Sequence, residues 1–576
     1  MKTGFLAWLR FAGAALLLFA SVSANAQFRT SIQGTVTDPD GAVIPNAKLE
    51  LKDNANNHVI NATSDAGGVF NFNALPADQF TLTVTAPGFQ QQVVQNLTVI
   101  PEQPNSVDVK LTLGESSITV TVSGEATSVI DTETANIGGT VSSNDIQHMP
   151  SFNRDVFTLT QLVPGAISDG GQNAGGGVRS NPGTQGPGGS GNGGAFPTEN
   201  GPQANANGGQ YETNGISIDG ISTVSAVWGG TTIITPNEDA IDNVRIVTND
   251  YDAENGRFSG AETMVTSKSG TNKLHGSAFF AIHRPGLNAN NRHPFSSATG
   301  SPISKNRDNA RFNQYGGSIG GPILKDKLFA FFSYEASPNS STSSGFGWYE
   351  TSAFQKSAPA NSIAAKYLSF PGGTVAGTYN AAGNCALAGL VEGTNCKTIA
   401  GQGIDIGSPL TIGLGKQDPT ATNTNANPGV GNGFDGVADV AYFATTTPST
   451  SYYRDYNGRM DANVTSKDHL AFTIYWVPQG STFYNGPARA YNLFHHDQIN
   501  EALSGIWNHT FSPTWLNEAR ANAAGWRWNE VTDNPQAPVG LPADNISNFG
   551  PSAGMSQFGS NLGSDLNQWT DRKSVV

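Results

Sequence analysis

Few groups of side chains in this sequence combine the residue types and the spacing that chemistry requires. Asp250, Asp252 and Glu254, at alternate positions of "NDYDAENG", offer oxygen donors of the kind calcium takes. The glutamate that ends a helix-loop-helix calcium loop is missing. His495, His496 and Asp497 in "FHHDQ" carry donors suited to a transition metal. Adjacent histidines on a loop ahead of a strand are more often solvated than metal-bound. Gly186, Gly188 and Gly191 spell Gly-x-Gly-x-x-Gly, which binds a dinucleotide only between a strand and a helix. Both flanks here are Gly, Asn and Pro, so the nucleotide reading fails. No nucleophile stands beside a base, and no carboxylate pair has a supporting motif. The expectation is a non-enzyme with no cofactor and no resident metal.

Two features remain, and both are mechanical. Cys385 and Cys396 are the only cysteines, in "NCALAGLVEGTNC". Joined, they would close a short loop and contribute about 2–3 kcal/mol; left apart, they are two free thiols. Ile118, Thr119, Val120, Thr121 and Val122 form a β-branched, extended run inside a polar linker. Such a run can pair edge to edge with another protein's strand, or serve as the last strand of the unit before it.

The elements around these residues read as β structure. Of 576 residues, 13% are charged, 37% are apolar and 68 are Gly, which is too little apolar material for thick helical layers. The net charge of −14 comes without a basic block, so nucleic acid is not an expected partner. At the N-terminus Lys2 and Arg10 bound a short charged region ahead of "FAGAALLLFA", which is too short to span a membrane and is followed by Ala24-Asn25-Ala26. This predicts an export signal over 1–26, cut between Ala26 and Gln27. Downstream no apolar run suffices for a spanning helix, so any later crossing must be by strands.

Residues 27–113 hold short alternating strands separated by Gly, Pro, Asn and Asp, the pattern of a small β-sandwich. Residues 114–137 are a polar linker. A second unit, 138–271, is split by a low-complexity insert over 170–209. From 272 to 576, hairpins with short turns ("GPILKDK", "VTSKDH", "FSPTW") alternate with long polar loops, above all Pro338 to Thr450. That asymmetry marks a transmembrane β-barrel. In "HLAFTIYWV", Leu470, Phe472, Ile474 and Trp476 share a face. In "YNGRMDANV", Asn457, Arg459, Asp461 and Asn463 lie opposite Tyr456, Gly458, Met460, Ala462 and Val464. In "KLFAFFSYE", Phe329 and Phe331 fall opposite Phe332 and Tyr334.

Two resemblances are carried by specific residues. Ile32-x-Gly34-x-Val36-x-Asp38, Gly41, Ile44-Pro45 and Ala47, continued by Asp65, Gly67-Gly68, Phe70, Phe72, Leu75-Pro76 and Gly88-Phe89, resemble the carboxypeptidase-regulatory-like domain. That domain is a transthyretin-like sandwich. No peptidase activity follows, because none of the nine histidines has Glu three residues on, as a zinc carboxypeptidase would need. "MPSFNRDVFTLTQLVPGA", with Asn153 and Arg154, and "SIDGIS", with Asp219 and Gly220, resemble the plug of Oar-like TonB-dependent receptors. So does 236–276, with Glu254, Gly256 and Arg257.

The resemblance implies a mainly β protein: a sandwich, an α/β plug, then the first hairpins of a large outer-membrane barrel. Implied partners are outer-membrane lipid, a TonB-type periplasmic energiser and an extracellular ligand such as a carbohydrate or peptide. Ile118–Val122 is the candidate for the energiser contact. The function implied is ligand capture with energised uptake. The alternative is a non-transporting adhesion or carbohydrate-binding surface protein on the same scaffold. Barrels of this class have about 22 strands, against roughly seven legible after Leu274. "QWTDRKSVV" lacks an amphipathic, aromatic-ended last strand. The expectation is therefore a fragment.

Overall fold

Alternation with Gly- and Asn-rich turns sets up the first unit. The computed structural model describes residues 30–575 except 74, 77, 100–103, 115–118, 124–136, 150–153, 155, 169–203, 207–212, 225–231, 250–256, 288–310, 363–364, 367–368, 370–372, 374, 376, 395, 407–433, 485–486, 513–514 and 533–563. Strands β1 (Ser31–Thr37), β2 (Lys48–Asp53), β3 (Val59–Thr63), β4 (Val69–Asn73), β5 (Gln79–Thr85), β6 (Gln91–Thr98), β7 (Pro104–Ser106), β8 (Val109–Lys110) and β9 (Thr119–Ser123) form two facing sheets. One runs β3-β2-β5-β6-β9; in the other, β1 is flanked by β4, β7 and β8. Every second residue points inward, so Ile32, Val36, Leu49, Leu51, Phe70, Phe72, Phe80, Leu82 and Val84 make a shared core. The β1–β2 connection is pinned by Asp38, whose carboxylate accepts from the Asp40 and Ala42 N–H groups at 2.9 and 2.8 Å. Gly41 supplies the positive φ of 89° there.

β9 takes the second of the two readings open to the Ile118–Val122 run. Thr119–Ser123 are the edge strand of the five-stranded sheet, parallel to β6 from Gln91↔Thr119 to Gln95↔Ser123.

The middle unit is a sheet ordered β10-β15-β16-β13-β14, with β10 Ile137–Ser142, β13 Gly215–Ile218, β14 Ile221–Ser222, β15 Ile241–Asn249 and β16 Glu262–Ser267. A separate ribbon pairs β11 (Ala166–Ser168) with β12 (Ala204–Ala206). Helix α1 (Ser143–His148) starts at a capping box in which Ser142 and Asp145 exchange hydrogen bonds. "SIDGIS" becomes the β13–β14 hairpin. Asp219 (φ 48°) and Gly220 (φ 76°) are its two turn residues, both left-handed as the favoured two-residue turn demands.

The third unit is one antiparallel path, β17-β18-β19-β24-β25-β26-β27-β28: β17 His275–His283, β18 Arg311–Leu324, β19 Leu328–Ala336, β24 Val440–Asn463, β25 Asp468–Tyr484, β26 Leu493–Ser512, β27 Trp515–Thr532 and β28 Ser564–Val575. The short turns fall where the sequence put them. The opposite ends do not. β24 continues upward from its pairing with β19 to pair with β20 (Asn339–Glu350) over twelve positions. The stretch expected as one long loop also contains helix α2 (Ser352–Ser357) and strands β21 (Gly377–Tyr379), β22 (Cys396–Ile399) and β23 (Gly403–Ile406). β20 is rich in Ser, Thr and Gly, and β21 to β23 are only three or four residues long, so sequence periodicity passes over them. Ser564–Val575, whose end is expected to lack an amphipathic, aromatic-ended last strand, pair along β27. Among the described residues, β17 and β28 each have a single neighbour.

The two faces of the path differ in solvent. Leu470, Phe472, Ile474 and Trp476 are exposed outward, as is Phe332, while Thr473, Tyr475, Val477, Phe329 and Phe331 are buried inward. An aromatic row, Tyr334–Tyr456–Trp476, has ring centroids 4.9 and 5.1 Å apart. At the short-turn end Phe511 stacks on Trp515 at 4.6 Å. Phe511 lies ten residues from Glu501, the partner of Trp476. That separation is about 34 Å along a strand and about 26 Å along the membrane normal at a tilt of about 40°. The outward band thus matches the height of an outer-membrane hydrocarbon layer.

Candidate functional site

The residues singled out in the sequence converge on one place, the seam between the middle unit and the inner face of the strand path. Arg154 sits just beyond α1 with a left-handed φ of 54°. Its guanidinium reaches three carboxylates: Asp239 at 2.7 Å, Glu238 at 3.3 Å and Glu335 of β19 at 3.3 Å. It also lies over the Phe279 ring of β17 at 3.7 Å. Glu238 and Asp239 are presented by a 3-10 turn capped by Asn237, whose side-chain oxygen accepts from the Ala240 N–H at 2.9 Å. Asn237 in turn donates from its backbone and its side chain to Asp455 of β24, at 2.9 and 3.0 Å.

A second clamp runs the other way. Arg459 of β24 grips Asp461 in a bidentate pair at 2.9 and 3.0 Å. The same side chain donates to the Ser267 carbonyl at 2.8 Å and lies 3.5 Å from Asp219. Asp219 is held ready by the Ser267 N–H and hydroxyl, at 2.9 and 2.7 Å. Tyr453 donates to the Thr235 carbonyl at 2.8 Å, Asn500 to the Ile233 carbonyl, and Asn522 to the Gly220 carbonyl at 3.2 Å. Apolar contact adds to these bonds: Tyr475, Val477, Ala502, Ala524 and Trp526 join the middle unit's core cluster.

Such a seam does no bond-making chemistry. It holds two bodies together by directional, charge-assisted bonds in a space shielded from water, where each bond is strong while made. A set of bonds can also be released stepwise, unlike a continuous apolar core.

Sequence reasoning named Arg154, Asp219 and Gly220, and all three lie in this seam. Arg257 does not join it; its guanidinium lies over the neighbouring Phe258 ring at 5.5 Å. Asn153, Glu254, Gly256, Ile118, Ala26 and Gln27 lie outside the described residues, as do Asp250, Asp252 and the Gly186–Gly191 run. Sequence reasoning missed Glu335, Asp455, Arg459, Asp461 and Asn237. A usable signal existed for four of them: a charged side chain on the non-lipid face of an amphipathic strand is placed there against something.

On the far side of the aromatic row, Cys385 and Cys396 are disulfide-bonded. They pack with Trp348, Leu390, Ile404, Ile406 and Val440. Nearby, fully buried Arg489 holds Glu350 by two bonds of 2.7 Å and donates to the Gly373 carbonyl at 2.8 Å. His495 lies 3.0 Å from Asp497. Among the described residues no group of three His, Cys, Asp or Glu could hold a metal ion.

Comparison with known proteins places this architecture. Residues 266–575 match the outer membrane beta barrel domain and residues 31–112 the carboxypeptidase regulatory-like domain. The chain belongs to the outer membrane β-barrel family and resides in the outer membrane. More particularly it is Oar-like: it is 33% identical over 124 residues to the TonB-dependent transporter Oar of Myxococcus xanthus, a match covering 22% of this chain and 11% of Oar. Among solved structures it is similar to the outer membrane transporter YddB from Escherichia coli, at 12% identity and a TM-score of 0.44, covering 76% of this chain and 44% of that one. The siderophore receptor PirA from Acinetobacter baumannii gives 13%, 0.36, 75% and 43%. The chain thus spans less than half the length of these relatives.

Proposed function

We propose that this protein is a receptor that captures a ligand at the cell surface and takes it up with energy delivered through a TonB-type partner. The middle unit is its plug. The observation that carries this reading is the pair of opposed clamps, Arg154 to Glu335 and Arg459 to Asp219. They add releasable polar bonds to the apolar contact between the middle unit and the inner wall, as suits a body that must both seal and yield. The ligand side is the disulfide-tied region around Arg489 and Glu350, above the membrane band. A carbohydrate or a peptide is the class of ligand proposed.

The energiser contact is Ile118–Val122. Among the described residues the backbone of β9 pairs only with β6 and ends its sheet, so its other edge is open to strand addition. Among the described residues β17 and β28 each have one neighbour, and a barrel closed around the plug would need further strands to join them. Reading the gene beyond codon 576 tests that point. The function is tested by accumulation of labelled oligosaccharides and peptides in cells with and without the gene, and with and without a protonophore. Gene-dependent uptake that collapses with the proton-motive force supports the proposal. Gene-dependent surface binding that ignores the protonophore instead identifies a non-transporting adhesion protein.

A further inference from the structure

The sandwich is seated against the short-turn mouth of the barrel. Asn57, in the β2–β3 turn, donates to the Asp326 carboxylate in the β18–β19 turn at 3.1 Å. The N–H of Asn272, which joins the middle unit to β17, donates to the Ala55 carbonyl at 2.9 Å. The Asn272 side chain bridges the rest: it donates to the Asp326 carboxylate at 2.7 Å and accepts from the Asp326 N–H at 2.9 Å. Asn57 and Asp326 both hold left-handed φ values, 61° and 62°, so the two turns meet in shapes they already own. Asp53 organises the sandwich side by accepting from the Ala55 N–H and the Asn56 amide, both at 2.7 Å, and is itself 2% exposed.

Apolar packing does not weld this seat. The cores of the sandwich and of the middle unit are separate clusters with no residue in common. Charged groups of one sign gather across the seam instead: Asp53 and Asp78 from the sandwich, Asp242 from β15 and Asp461 from β24. Arg459 faces them from β24, Lys268 faces Asp242 from the end of β16, and His58 of the sandwich faces His469 of β25. Polar seams of this kind between units permit relative motion.

We propose that the N-terminal sandwich is a latch on the plug, closed over β15 by its Asn57–Asp326–Asn272 seat, which has to lift before the plug can move. The acidic seam sets the conditions under which it lifts. Burial pushes the Asp78 carboxyl up to about 7; Asp53 and Asp242 add to this, Arg459 opposes it, and Asp461 adds again. Burial also raises Asp53 and Asp242. A carboxyl raised in the seated state supports seating fully below its ordinary value near 4. That support is lost as pH rises to the seated value, here about 7. His58, lowered by burial and by the charge of His469, and Lys268, lowered by burial, work in the opposite direction, so the balance near neutrality rests on Asp78. The latch is therefore tight in acid and loose above neutrality.

The seat is given by geometry, the latch rests on the plug reading proposed above, and neither depends on which ligand is transported. Its test is a distance measurement on the full chain in detergent micelles. Nitroxide labels are placed at Lys52→Cys and Lys325→Cys, both exposed beside the seat, while the native cysteines stay joined. Pulsed dipolar spectroscopy should give one short, narrow distribution at pH 5.5 and a second, longer population at pH 8.5 that reverses on acidification. Adding Asn57→Ala and Asp326→Ala should populate the long distance at both values. Asp78→Asn should keep the short one at pH 8.5. A broad distribution at pH 5.5 in the parent overturns the latch. A short distance indifferent to both pH and the seat substitutions overturns it equally, because the sandwich is then fixed to the mouth.

Discussion

Arg154→Ala tests the idea that ionic clamps, rather than apolar packing, set how firmly the middle unit is held. The substitution leaves Glu238, Asp239 and Glu335 gathered around an emptied space, with Glu335 only 5% exposed. Removing one partner of a buried ion pair costs about 3–5 kcal/mol. The low end applies here, because the Arg154 side chain is 21% exposed and the carboxylates keep other donors. Gln314 still donates to Glu335, and the Ser277 hydroxyl still donates to Asp239 at 2.9 Å. A loss of about 3 kcal/mol in the free energy of local opening corresponds to roughly 100-fold faster amide exchange.

Hydrogen exchange of the folded protein in micelles, resolved by peptide, reads this directly. Peptides over 137–149 and 156–166 should accelerate by that factor while β24–β27 keep their protection. Arg154→Lys should restore part of the protection, since an ammonium keeps the charge but loses the fork. Combining Arg154→Ala with Glu335→Gln should recover part of the loss, because one uncompensated charge is gone. If the region over 137–166 exchanges at the parental rate, or if the strand path accelerates equally, the clamp reasoning is wrong.

Other expectations follow from the same geometry. Asp219→Ala puts a Cβ-bearing residue without local hydrogen bonds at φ 48° and removes two bonds to Ser267, so the β13–β14 hairpin should lose about 2–3 kcal/mol. Asp219→Asn, which tolerates that φ, should lose less in the same exchange measurement. Cys385→Ser with Cys396→Ser should cost about 2–3 kcal/mol, confined to 380–406, and expose that segment to protease while heat-modifiable gel mobility of the barrel is unchanged. Arg489→Ala should destabilise the same surface region by about 3–5 kcal/mol, because it strands Glu350 in a buried site. Val120→Pro deletes a backbone donor from β9 and should abolish site-directed cross-linking to a TonB-type partner; cross-linking at parental yield would remove Ile118–Val122 as the contact.

Much of the fold was legible because each unit is repetitive at short range. Asp38 to Gly41, Asp219-Gly220 and Lys325 to Lys327 are turns set by local chemistry, and the strands between them alternate with period two. The strand faces in "YNGRMDANV" and "HLAFTIYWV" were readable for the same reason: one face meets lipid, and lipid demands apolar side chains. Legibility ended where that demand ended. Above the aromatic row both faces of β20 and of the upper half of β24 lie outside the lipid band, so Ser, Thr and Gly carry the strand without a pattern. Strand pairing there comes from the neighbour, not from the segment itself.

The sequence alone determined the β character, the sandwich core, the turn positions and the lipid-facing stripe, because each depends on neighbours within a few residues. It also marked Arg154 and Asp219 as residues of interest, through the motifs they stand in. Only the tertiary structure decided what those residues hold. Arg154 meets Glu335 across 181 positions and Arg459 meets Asp219 across 240, and no local pattern encodes such pairings. It also made Thr119–Ser123 a strand of the sandwich and seated Asn57 on Asp326. In each case a polar group or strand edge finds its partner only once the units are folded and brought together.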